Sequence, residues 1–128
     1  MDTDIKSDAT WDLLDHSIVK DLVDREGAAR ILGTMMSEPP SPEERIHTMC
    51  TLAVAGNIVT LRQETADFLA WAEINGMRRL VNTLIELNRV LALDARGQAI
   101  FQAQALTRFI AQNIDDDLNA FKRAVTSL

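Results

Sequence analysis

The chain has two histidines, and each stands near a carboxylate at helical spacing. Glu44 precedes His47 by three residues and Asp12 precedes His16 by four, so each pair would share one face of a helix. A Glu-x-x-His step is the unit with which helical bundles hold di-iron or di-manganese centres, other helices supplying further carboxylates. Glu64, Glu73 or Glu86 could serve in that way. A full centre needs two such steps, however, and Asp12 with His16 has neither the spacing nor the residue type of the second. Solvated residues at helix starts account for the pairs better, and a metal site made of Glu44, His47, Asp12 and His16 stands as the alternative reading.

Other motifs point to chemistry only in part. His47 is followed by the small apolar run 48–56, which is faintly similar to the surroundings of the phosphorylated histidine in histidine phosphotransfer domains. The lysine expected shortly after such a histidine is absent, and His47 lies within the first two turns of its helix. Residues 27–33, Gly-Ala-Ala-Arg-Ile-Leu-Gly, look like the first helix and turn of a helix-turn-helix. The following Thr34, Met35, Met36 and Ser37 offer little to base edges, and prolines follow them. Asp115, Asp116 and Asp117 lack the alternating ligands and glycine of a calcium loop and fit a solvated helix face. The single cysteine, Cys50, has no partner for an intrachain disulfide and lies in the most apolar stretch, as an inert buried thiol does. No phosphate-cradling loop, nucleophile elbow or zinc-protease helix is present. No residue is therefore a catalytic candidate, and no cofactor is expected.

The elements that would position these groups are helical throughout. Residues 48–61 carry no ionisable group except the Cys50 thiol, and an apolar stretch of this length, too short to span a bilayer, predicts a buried central helix. Gly56 and Asn57 interrupt it, and a close helix crossing at Gly56 would explain the missing side chain. Before it, Ser7 or Asp8 can cap a helix whose stripe is Trp11, Leu14, Ile18 and Leu22, and either that helix continues past 24–27 or Asp24 caps a second carrying Ala28, Ile31, Leu32, Met35 and Met36. All three prolines fall in 37–42, which breaks the helical pattern. Ser41, Pro42 and Glu44 then form the signature of a capping box. Asn75 and Gly76 supply a stop. Beyond it, Met77, Leu80, Leu84, Leu87 and Leu91 recur at three- and four-residue steps, close to a heptad seam. Residues 94–97 read as a short connection to a last helix from about Gln98. Strand patterning is almost absent. The expected fold is an all-α, single-domain bundle of four to six helices over residues 8–128, with a frayed segment at 1–7 and a proline-rich connection at 37–42.

Composition narrows the partners. With 128 residues, 47% of them hydrophobic and 25% charged, the chain fits one ordinary globular domain. A net charge of −6 opposes attraction to phosphate backbones or anionic membranes, so neither nucleic acid nor membrane is expected as a partner. The acidic N-terminus carries no apolar run, and a cytoplasmic setting is the expectation. Ile85, Val90 and Leu93 add apolar positions outside the leucine seam, and the last helix is similarly broad. Apolar surface in excess of one core suggests burial against a partner, most simply a second copy. The sequence therefore suggests a small acidic interaction or regulatory module, homodimeric and without catalysis. Its contact residues are expected at Leu80, Leu84, Leu87 and Leu91, or on the face carrying Phe109 and Phe121.

Overall fold

In the computed structural model, which describes residues 13–93 and 99–128 and the backbone alone at 35–37, the chain is all-helical and its helices pack as a bundle. Six helices are present among the described residues: α1 (His16–Glu26), α2 (Ala28–Ser37), α3 (Pro42–Ala55), α4 (Ile58–Ile74), α5 (Arg78–Ala92) and α6 (Ala99–Ser127). The segments 1–7 and 94–97, the caps at Ser7 and Asp8, and Trp11 and Asp12 lie outside the described residues.

Three helix starts, those of α1, α3 and α4, carry a side-chain cap. The Asp15 carboxylate accepts from the Ile18 amide and begins α1, so the stripe expected from Trp11 through Ile18 is broken at Asp15. Gly27, not Asp24, is the junction to α2. At α3 the capping box is complete, with Ser41 Oγ accepting from the Glu44 amide and the Glu44 carboxylate accepting from the Ser41 amide. Each such cap typically contributes about 1 kcal/mol. Asn57 Oδ1 accepts from the Thr60 amide to start α4.

The helices α3, α4, α5 and α6 form a closed ring in which each packs on two others. Bonds from the Cys50 Sγ to the Thr107 carbonyl and from Gln104 Nε2 to the Ala53 carbonyl show that α3 and α6 run antiparallel. Between them lies one apolar core, which includes Ile46, Met49, Leu61, Phe68, Leu84, Leu87, Ile110 and Phe121. Fully burying a side chain of this size contributes roughly 1.5–3 kcal/mol. Both α1 and α2 pack on α6 as well as on each other. Leu118, Phe121 and Val125, in the second half of the 29-residue α6, are buried as well.

The stretch 48–61 is not one central helix. It is the end of α3, a turn and the start of α4. Gly56 adopts φ 73°, which reverses the chain, and a Cβ placed there meets nothing within 4 Å. Among the described residues no helix crosses at Gly56, and Val54 and Val59 on either side of it are exposed. Apolar composition misleads here because a helix reversal needs a left-handed residue and a cap, not charged side chains.

Candidate functional site

Glu44 and His47 lie on α3, and His16 is the first residue of α1. The Glu44 carboxylate already accepts from the Ser41 amide in the capping box, and both histidines are exposed. Glu86 pairs with Arg89, and that guanidinium, through its hydrogen bonds, holds the Glu86 carboxyl below the ordinary range. Among the described residues no group of three or more His, Cys, Asp or Glu side chains could hold a metal ion. Gly33, assigned to the turn of a helix-turn-helix by its sequence setting, lies inside α2.

The expected contact seam is core. Leu80, Leu84, Leu87 and Leu91 are buried within the chain, as is Phe121, so none of them can meet a partner unless the bundle opens. The heptad spacing is real, but the surface it fits is supplied by α4 and α6 of the same chain. Phe109 is 43% exposed, twelve positions from Phe121 and therefore about a third of a turn away around the helix. The two rings do not share a face. Of the surplus apolar positions on α5, Val90 is buried while Ile85 and Leu93 are exposed.

The four most exposed large apolar side chains among the described residues stand at one end of the ring, while Ile74 at 62% and Ile85 at 51% are exposed elsewhere. Val54 ends α3, Val59 begins α4, Leu93 follows α5 and Phe101 begins α6, with 78%, 80%, 69% and 73% of their surface exposed. The four helix ends are neighbours. The turn at 56–57 joins Val54 to Val59, the Gln104 to Ala53 bond of 3.2 Å brings the start of α6 beside the end of α3, and a shallow groove lined by Val59, Arg62, Gln63, Ala66 and Asn88 brings α4 beside the end of α5. On α6, Ala105 and Phe109 continue outward from Phe101 at four-residue steps and are exposed too. Single exposed apolar side chains are ordinary, whereas a group on adjacent elements is not. Val54 and Val59 are not singled out by the sequence, whose apolar stretch there reads as interior.

The opposite end is closed. The Asp15 amide donates to the Gly76 carbonyl at 2.7 Å, docking the start of α1 on the turn between α4 and α5. Nearby, Arg79 on α5 meets Asp117 on α6, with Nε 3.0 Å and Nη2 2.9 Å from the same carboxylate oxygen. Only the Nε contact is a directed hydrogen bond, and Nη2 is buried with no hydrogen-bond acceptor. Burial pushes the Asp117 carboxyl above its ordinary range, against the opposing pull of Arg79. Asp117 was read as part of a solvated acidic run, yet it lies seven residues from both Ile110 and Ala124 and so falls on the buried stripe. That register was the available signal.

Comparison of the chain with protein-family models, with curated proteins and with solved structures finds no match. Among the described residues no helix is long and apolar enough to cross a membrane.

Proposed function

We propose that the chain is a protein–protein contact module that associates with a second copy of itself through the open end of its helical ring and does no chemistry of its own. The observation that supports this is the grouping of Val54, Val59, Leu93 and Phe101, all more than two-thirds exposed, on four neighbouring helix ends. Covering such a group removes apolar area from water at roughly 25 cal/mol per Å², and a two-fold dimer is the commonest way to cover it. The interface moves accordingly from the leucines of α5 to this end. A small acidic regulator or adaptor working in the cytoplasm fits the reading, as does the lone Cys50 thiol, which suits a reducing compartment.

The test is the mass in solution, by light scattering after gel filtration, of the natural chain and of a Val59→Ser, Phe101→Ser double variant. A dimer that becomes a folded monomer in the variant is expected. A natural chain that stays monomeric at ~100 µM, well above the micromolar dissociation constants of weak specific complexes, overturns self-association.

A further inference from the structure

A cleft of about 370 Å³ lies where α1, α2, the connection to α3 and the end of α4 meet, away from the open end. Its size falls among small-molecule sites, which run from about 300 to 1,000 Å³. Leu22, Ile31 and Pro42 give it an apolar, buried floor, and Trp71 lines it half-buried. The Trp71 ring lies 5.8 Å from that of Phe68, and the Arg45 guanidinium carbon stands 6.0 Å from the Phe68 centroid. One cation is thus held beside the aromatic wall.

The charges of the lining decide what would fit. Among the described residues, Glu26, Arg30, Glu38 and Arg45 are its charged lining. Arg30 is matched by Glu26 at 3.3 Å, and Glu38 is exposed to solvent, where its charge is screened. Arg45 meets no carboxylate among the described residues, and the Trp71 indole N–H meets no acceptor among them. Three of the first four positions of α3 have no amide hydrogen left for an anion. Pro42 has no amide hydrogen, the Glu44 amide is bonded to Ser41 Oγ, and the Arg45 amide is bonded to the Ser41 carbonyl.

We propose that this cleft binds a small molecule with an apolar body and one carboxylate, the body against Leu22, Ile31 and Trp71 and the carboxylate on the Arg45 guanidinium and the Trp71 N–H. A guanidinium answers a carboxylate with a planar fork of donors, and the indole adds a donor at the edge of an apolar surface. The site is distinct from the proposed dimer contact, and its test does not depend on association.

The probes are octanoate, octanol and octylammonium, titrated into the ¹⁵N-labelled full chain and followed by amide and indole NMR signals. Octanoate is expected to shift the Trp71 indole signal saturably, together with the amides of Ile31 and Arg45; Trp71→Phe assigns that signal by its loss. Arg45→Met is expected to weaken octanoate by about tenfold or more, as loss of a charge-assisted hydrogen bond does, while octanol binding stays unchanged. Arg30→Met, removing a cation already paired, is expected to change octanoate binding by less than about twofold. No saturable shift with octanoate, octylammonium binding as tightly as octanoate, or an Arg45→Met variant that binds octanoate normally would each overturn the proposal. Should Arg45→Met melt early, Trp71→Phe decides, since it keeps a ring and removes the N–H: weaker octanoate binding supports the site and unchanged binding refutes it.

Discussion

At 56–57 and again at 75–76 the chain turns between consecutive helices through a glycine of positive φ, 73° in one case and 66° in the other. The two turns are paired with asparagine in opposite order, Gly56 before Asn57 and Asn75 before Gly76, and they sit at opposite ends of the helical ring. Around Gly56 there is open space. Around Gly76 there is none, because the Cβ and Cγ2 of Ile18 would lie 3.0 Å from an added Cβ and the Asp15 carbonyl 3.1 Å from it. One turn only reverses the chain, while the other is also the seat on which α1 docks. The same dipeptide composition therefore serves a solvent-facing end and a closed one, and the difference lies in a segment some sixty residues earlier in the chain.

Substitutions can grade that difference. The largest effect is expected in the layer between the two ends: Leu84→Ala, at a position fully buried in the core, should cost about 3 kcal/mol in urea unfolding, and an unfolding curve that stays in place would return Leu84 to the surface. Next comes Gly76→Ala, which adds a steric conflict to an unfavourable left-handed residue and should cost about 2 kcal/mol or more. Gly56→Ala, with the φ penalty alone, should cost about 1 kcal/mol. Equal costs at the two glycines would mean that α1 does not dock on the turn as described.

The closed end should also show its own pH dependence. The Asp117 carboxyl is raised by burial, so the folded chain holds a proton there to higher pH than the unfolded chain does. This group's contribution is present below the unfolded pKa and declines as pH rises through the folded one. Asp117→Asn should remove that declining component from a series of thermal melts across the acid range, and a difference curve of opposite slope would refute the assignment. The smallest effects are expected at the open end, where Val59→Ser and Phe101→Ser should each alter the stability of the monomer by no more than about 0.5 kcal/mol.

Much of this architecture is legible in the sequence. The proline break, the capping box at Ser41 and the stop at Asn75 are local signals, and each is local in the structure too. The seam of Leu80, Leu84, Leu87 and Leu91 was legible as an apolar stripe, but periodicity does not say whether the opposing surface belongs to the same chain. Spacing alone is compatible with a partner's surface, whereas in the structure the four leucines are buried within the chain. Val54 and Val59 were hidden for the converse reason, since an apolar side chain beside a turn looks like one beside a core. Arg45 and Trp71, twenty-six residues apart, share a cleft only because α3 and α4 pack together. No spacing rule brings them to notice.

The helix α6 touches α1, α2, α3 and α5, and all four precede it in the chain. During synthesis from the N-terminus, each of those apolar faces emerges from the ribosome before the surface that will cover it. Of the four sides of the ring, α3 against α4 and α4 against α5 can form as soon as each pair is made, whereas the two sides involving α6 wait for roughly thirty more residues, a few seconds at typical elongation rates. In that interval the leucine seam of α5 is uncovered on the side that α6 will occupy. The nascent chain is then at its most adhesive, and crowded ribosomes or a slow stretch of message within α6 would raise the chance that one copy's seam meets another's before its own last helix arrives.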